Sequence, residues 1–574
     1  MTPLRKACAT GYARMAARAA LLDHINVFPV ADADTGVNLR LSLAPLRDIH
    51  SDNNQCLAQL QQSATGNSGN IAAAFFVPLL KEEQPSNSRI EIDTLAAQLA
   101  QGSHLARQAV LAPQDGTMLD VFSALAAWHE AGRSRLSGPE LLEQLAATVR
   151  ATARILPELR QAGVVDAGAL GLFFFFEGFF AQYLEDESLY RSPGERFQGL
   201  LEPALPVQND EELGSCINVS IQQGAPQADP ALLAELGESV VAREDSGTLH
   251  LHLHSHAPDQ LREKLQQFGA ISAWRSERMH SPPRQSQAEP GLLHLLCDAA
   301  GSLPRTLAQA EGITLLDSYV ICAGEARPET LWEPSSIYKA LRAGEKVSTA
   351  QASLFERQQH FSSALELYGP TLYLSVGSAY TGNYAAALAW QKQADTGKQF
   401  MVVDSGAASG RLACIALLSA RANRRLASQQ ALLTEVNTLC RDAEEYVCID
   451  SLRYLAAGGR ISKMRELAGG LLGLKPIISP QQEGVRKMGV ARSQNSQLDF
   501  VLERMERLGQ KGTVPLALLQ YTDNVDWVRI AVLPQLRQIL PASEILVLPL
   551  SLTSGVHMGP GTWSVAACPQ RMES

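Results

Sequence analysis

The sequence predicts a multidomain protein built from an all-helical N-terminal unit, a small α+β module and a C-terminal α/β domain. Three observations carry this. The 574 residues exceed what one hydrophobic core supports, and at about 150 residues per domain they suggest roughly four units. To about residue 190, apolar residues recur at spacings of three and four, as in LAAQLAQGSHLARQAV and LLEQLAATVRATARILPELRQAG. Beyond that the pattern changes twice. Short alternating segments, CINVSIQ and LHLHLHSH, flank helical text such as DPALLAELGESVV. After the linker-like SPPRQSQAEPG, residues 281–291, strand-like runs (LLHLLCD, TLYLSVG, FMVVDSG, YVCIDS, LALLQY, EILVLPL) alternate with helices, which predicts a mostly parallel sheet. The expected domains are residues 1–190, 195–285 and 290–574.

Composition narrows the classes. Hydrophobic residues at 46% and charged residues at 19% exclude global disorder. The 49 Lys and Arg against 59 Asp and Glu give a net charge of -10, so the overall balance lacks the basic footprint of a nucleic-acid partner. Nine cysteines, odd in number and nowhere in a CxxC pair, do not form a disulfide framework, and a reducing cytoplasm is expected. The first residues, MTPLRKACATGYARMAARAALLDHI, lack the continuous apolar core of a secretory signal. Ala167 to Phe176 is about half the roughly 20 residues of a membrane span and is expected to be a buried helix.

Four clusters in the helical region combine Gly, Asp, Asn and Thr immediately before a helix. In NVFPVADADTGVN, Asp32 and Asp34 stand at i and i+2 ahead of LRLSLAPLRDI. Two carboxylates in an irregular loop suit Mg²⁺, which is held by few carboxylates with phosphates and waters completing its shell. The same pattern also describes an N-cap. In SATGNSGN, before IAAAFFVPLL, small residues leave backbone N–H groups free to face an anion. PQDGTMLD and VVDAGALG repeat the device, and all four can gather at one end of a bundle.

NVFPVADADTGVN, GNSG, DGTML and VVDAGALGL, in this order, resemble the nucleotide-binding domain of bacterial fatty acid kinases, itself related to the ADP-binding L subunit of dihydroxyacetone kinase. The resemblance implies a helical barrel holding Mg²⁺-ATP at one end. Asp32 and Asp34 would hold Mg²⁺, with Asn26 as third ligand and Asp23 as the alternative. Thr35, Asn38, Gly66, Asn67, Ser68, Gly69, Thr117, Met118, Asp166 and Gly168 would bind nucleotide. The family usually reads PDGDTGTN; here Ala31, Ala33 and Val37 replace Pro, Gly and Thr, which puts alanine where the loop favours a positive-φ glycine.

In the middle module His250, His252, His254 and His256 alternate, so on a strand they share one face. With Cys216 on another strand they offer a Zn²⁺ site; the other reading is an exposed polar face opposite Leu249, Leu251 and Leu253. The segment from Leu236 to Met279 resembles the middle domain of fatty acid kinases, and Cys216, His252 and His254 match that family's metal-type residues.

CDAAGSLP, STAQAS, SVGSAYTGNYAAAL, VVDSGAASG, SLRYLAAGGRISK, LLGLKPIIS and HMGPGTWSVA resemble the DegV family of fatty-acid-binding proteins over nearly all of residues 291–574. That resemblance implies two α/β subdomains with a buried acyl chain. Thr349 and Ser378 would hold the carboxylate, and Arg460 and His557 would supply its polar and cationic surroundings. An ionised headgroup above a buried chain needs several donors, and Arg supplies a charge-assisted pair.

Together these resemblances imply an ATP-dependent fatty acid kinase with kinase and acyl carrier fused, Asp32, Asp34 and Arg460 being its catalytic residues. The implied partners are a fatty acid, ATP, a second copy of the chain, and a transient encounter with a membrane or an acyltransferase. The competing reading is a lipid-binding or lipid-sensing protein that binds nucleotide without transferring phosphate.

Overall fold

The computed structural model describes residues 3–47, 53–81, 92–130, 138–204, 214–222, 230–245, 247–279, 291–395, 397–457 and 474–570. Most of the linker-like segment 281–291 and the stretch Gly458-Gly459-Arg460 lie outside these residues. The chain divides into two compact units, Met1–Arg284 and Gln285–Ser574.

The first unit is organised around the helix Ala167–Leu184, which packs against the helices Pro3–Ala16, Met118–Glu130 and Gly138–Thr152. It is apolar on every side, so burial is the only stable outcome in a globular fold. Among the described residues it is the one helix long and apolar enough to cross a membrane, and 89% of it is buried in the protein. Its one charged side chain, Glu177, pairs with Arg14 at 2.7 Å with both groups buried. A Cβ at Gly11 would stand 2.6 Å from the Phe175 carbonyl oxygen, and one at Gly178 would stand 2.8 Å from that of Thr10. Only glycine permits this backbone approach.

The small module adds a four-stranded antiparallel sheet to the same unit, in the order β2 (Glu238–Asp245), β3 (Thr248–Ser255), β1 (Ser215–Gln222), β4 (Ala270–Arg278). Text read as continuous helix in DPALLAELGESVV breaks after Pro230–Ala234. The β-branched pair Val240-Val241 goes into β2, where Val241 bridges Val110 of the helical part. One face of the sheet buries Ile217, Val219, Leu249, Leu251 and Leu253 against the helix Pro258–Leu265. The other face lies against the helices. His252 and His254 are therefore only 1% and 6% exposed, which removes the reading of the histidine strand as a solvated polar face.

Among the described residues the second unit contains three sheets. A four-stranded sheet of β5 (His294–Asp298), β6 (Ile313–Leu316), β10 (Thr371–Ser375) and β11 (Phe400–Asp404) is wholly parallel. A three-stranded antiparallel sheet joins β7 (Tyr319–Cys322), β8 (Glu325–Pro328) and β9 (Val347–Ala350). The six-stranded sheet comprises β12 (Glu444–Cys448), β13 (Lys475–Gln481), β14 (Gly484–Ala491), β15 (Thr513–Tyr521), β16 (Glu544–Pro549) and β17 (Trp563–Gln570). There only β15 and β16 run parallel. The mostly parallel arrangement expected from sequence thus holds for one sheet of the three. The reasons are local: a hairpin too short for a crossover joins β13 to β14, and β17 returns between β12 and β15, antiparallel to both. The helix Ser409–Arg425 is buried with residues of both larger sheets in one apolar cluster.

Candidate functional site

The four loops meet. A cavity of about 260 Å³ in the first unit is lined by Asn26, Asp32, Asp34, Thr35, Asn38, Gly66, Asn67, Ser68, Thr117, Met118, Asp166 and Gly168. Gly69 is not among the lining residues; it backs onto Ser42, whose Oγ would lie 2.0 Å from an added Cβ. The acidic loop does not serve as an N-cap. Asp34 makes no side-chain capping bond to the helix Thr35–Leu43, whose first N–H groups are taken instead by Asp23 Oδ1, from Gly36 at 2.7 Å and from Val37 at 3.1 Å. The Asp32 and Asp34 carboxylates both line the cavity, while Asp23, the alternative ligand, is committed to the helix end.

Asn26 acts as a brace: its amide donates to Asp32 Oδ1 at 2.7 Å and its Oδ1 accepts from Thr35 Oγ1 at 2.8 Å. An amide oxygen has two lone pairs, so the bond from Thr35 leaves room for the expected place of Asn26 as third ligand. Burial pushes the Asp32 carboxyl up to about 6, helped by the nearby charge of Asp23 and opposed by hydrogen bonds from its neighbours. Oxygen donors crowded at such cost fit a hard divalent cation. Ala33 adopts φ 56°, so the loop keeps the left-handed turn of a glycine-containing version, with alanine strained there by roughly 1 kcal/mol.

Across the cavity, Gly66 has φ 66° and lies under the Asn38 amide, and from it runs the 16-residue helix Gly66–Lys81. Asn67 Oδ1 and Ser68 Oγ are buried here without a hydrogen-bond partner among the described residues. Unsatisfied polar atoms at a helix N-terminus mark a place for a polar ligand. Asp166 caps the central helix through Ala169 N at 2.7 Å, and burial raises its carboxyl to about 7.

The small module supplies the remaining wall through Ala234, Gly237, Ser239, Val240, Val241, His252 and His254. Apart from the two histidines, no sequence signal marks these residues, which are ordinary apolar or small positions in and around a strand. His252, His254 and Cys216 place one potential ligand atom each within 4.8 Å of one another. Burial holds the His252 imidazole down to about 3, so it is neutral and needs no deprotonation to ligate. His254 Nδ1 has no partner among the described residues. One sulfur and two neutral imidazoles fit a Zn²⁺-type ion. The remaining histidines are apart from this set: His250 Nδ1 meets Ser220 Oγ at 2.9 Å, and His256 is exposed.

In the second unit, Thr349 on β9 and His557 on the helix Leu552–Met558 are brought together, Oγ1 to Nε2 at 3.0 Å, both half-buried. Ser378 lies in the loop after β10, exposed, with its N–H on Asp404 Oδ1 at 3.0 Å. Arg460 lies outside the described residues. At the C-terminal end of β5, Asp298 accepts from Val376 N at 2.6 Å, Tyr373 Oη at 2.7 Å and Asn383 Nδ2 at 2.9 Å.

The class of protein follows from three family models that match in succession: the DAK2 domain over residues 29–181, the FakA-like middle domain of fatty acid kinases over 213–286, and the uncharacterised DegV family over 293–570. The chain carries these three domain types in that order. Among individual relatives, it is 27% identical over 306 residues to Protein YloV of Bacillus subtilis, covering 47% of this chain and 53% of that one. It is 26% identical over 307 residues to the uncharacterised protein SH1689 of Staphylococcus haemolyticus, covering 48% and 54%. The chain thus spans about half the length of the curated relatives it matches. Of solved structures, a fatty-acid-binding DegV family protein from Thermus thermophilus is similar at 26% identity and TM-score 0.44, over 48% of this chain and 99% of that one. DegV from Bacillus subtilis, a fatty-acid-binding protein, is similar at 19% identity and TM-score 0.45, over 49% and 100%.

Proposed function

We propose that this protein is a fatty acid kinase, transferring the γ-phosphoryl group of ATP to a fatty acid carboxylate to give acyl phosphate and ADP. The observation that carries the reading is the single cavity uniting two uncapped carboxylates, a glycine turn at a helix N-terminus, and two buried polar atoms without partners among the described residues.

Asp32 and Asp34 would hold Mg²⁺, which when bound neutralises phosphate charge. Asn26 orients Asp32. The N–H groups opening the helix Gly66–Lys81, with Asn67 and Ser68, face the phosphates, while Thr117, Met118, Asp166 and Gly168 line the nucleotide. The acceptor carboxylate, with a pKa of about 4 to 5 by analogy with Glu, is ionised at neutral pH and needs no general base. Thr349 and His557, with Ser378 and Arg460, hold that carboxylate and leave one oxygen as nucleophile. Its attack forms the new P–O bond as the bond to the β-phosphate bridging oxygen breaks, and the electron pair leaves with ADP. Cys216, His252 and His254 hold a structural Zn²⁺.

The test is fatty-acid-dependent ADP release with Mg²⁺, beside an Asp32→Ala, Asp34→Ala double variant and an Arg460→Ala variant. Turnover by wild type and its loss in the double variant support the kinase. Lipid binding without ATP consumption at any chain length overturns it in favour of a lipid-binding or lipid-sensing protein.

A further inference from the structure

Asn218 links the metal-ligating cluster to the residue just before the glycine turn of the nucleotide cavity. Asn218 sits on β1 directly opposite His252 on β3, and its Oδ1 is 3.0 Å from His252 Nδ1. Its amide nitrogen reaches Thr65 Oγ1 at 3.4 Å, across to the helical part of the unit. Thr65 immediately precedes Gly66, and its own N–H is held by Ser42 Oγ at 3.0 Å. The turn that opens the phosphate-facing helix is therefore held from behind by Ser42 and only touched from the side by Asn218.

His252 Nδ1 also lies 3.9 Å from Cys216 Sγ. A cation drawn to that sulfur and that nitrogen competes with Asn218 for the ring. The Asn218–Thr65 contact is longer than a well-formed hydrogen bond, so it has room to tighten once the other end of the amide is released. A tightened Thr65 leaves less of the turn to be ordered when phosphates bind, and such preorganisation appears as affinity.

We propose that Asn218 is a positioning residue through which metal at Cys216, His252 and His254 strengthens nucleotide binding in the neighbouring cavity. This rests on the metal and nucleotide sites proposed above. Linkage makes the effect reciprocal: nucleotide strengthens metal binding by the same factor.

The test uses the full-length chain stripped with chelator and titrated with Co²⁺, whose thiolate charge-transfer band reports binding, and with Mg²⁺-ADP followed by calorimetry. Wild type should bind ADP at least about fivefold more tightly with Co²⁺ than without, the lower range of such couplings. Asn218→Ala should bind Co²⁺ at least as tightly as wild type, since a competitor for His252 is gone, yet its ADP affinity should no longer respond to Co²⁺. Thr65→Val should break the same link from the other end with the cobalt spectrum unchanged. A residue that merely supported the fold would weaken metal and nucleotide together. No cobalt band in wild type removes the metal centre and this proposal with it. A band with ADP affinity unchanged or weakened leaves the centre standing and overturns the coupling, and coupling that survives in either variant overturns the assignment to Asn218.

Discussion

Thr349 Oγ1 and His557 Nε2 meet at 3.0 Å across 208 residues of sequence. The helix carrying His557 packs on the strand carrying Thr349. On the function proposed above, this hydroxyl and imidazole together hold the fatty acid carboxylate. Thr349→Val and His557→Asn should each weaken fatty acid binding about tenfold or more, the cost of a lost hydrogen bond to a charged group. Displacement of a fluorescent fatty acid measures this, and unchanged affinity in both variants would take the carboxylate away from this pair.

With the Asp32 carboxyl at about 6, the cation binding proposed above should depend on pH. Metal requires the ionised form, so protons compete as pH falls through 6 and the apparent affinity for Mn²⁺ should drop by up to about tenfold per pH unit below that point. Asp32→Asn should bind weakly at every pH and lose the dependence. Paramagnetic relaxation of water by Mn²⁺ reads both.

Asp166, raised to about 7 in the fold from an ordinary value of 3.8, binds more protons in the native state than in the unfolded one. Its contribution to stability is present below about pH 4 and is lost as pH rises towards 7. Asp166→Asn keeps an oxygen to accept from Ala169 and removes the buried charge. The variant should gain about 1–2 kcal/mol above pH 7, seen as a melting temperature higher by a few degrees, with no gain at pH 4.

Asp298 satisfies three buried donors at once. Asp298→Ala leaves Val376 N, Tyr373 Oη and Asn383 Nδ2 without it and should destabilise the second unit by about 3 kcal/mol or more in urea unfolding. A loss below about 1 kcal/mol would mean that water replaces the carboxylate readily.

The site was legible in sequence wherever its signal was local. Asp32, Asp34, Gly66, Ser68 and Asp166 announce themselves because a loop ahead of a helix must supply its own turn and cap chemistry, and the residue types that do so are few. What could not be read were properties set by distant pieces of chain. That Asp23, rather than Asp34, caps the helix Thr35–Leu43 depends on how the preceding helix approaches. Val110 and Val241 carry no mark of the bridge that closes the cavity. Strand direction in the six-stranded sheet is also unwritten, since a two-residue alternation looks the same either way along the chain. Ala33 shows the reverse: substitution suggested altered loop geometry, yet the tertiary frame imposes the left-handed turn at modest cost.

The close contact of Pro3–Ala16 with Ala167–Leu184 sets an order of events during synthesis. At about 5–20 residues per second, the ribosome takes roughly 8–30 s to reach the second helix after completing the first. Throughout that interval the groove at Gly11 has nothing to receive. When LFFFF emerges it is as attractive to a chaperone or a bilayer as to its own partner. Nascent-chain survival should therefore depend on how quickly that one helix finds its seat, and substitutions that fill Gly11 or Gly178 should appear first as lost yield in cells.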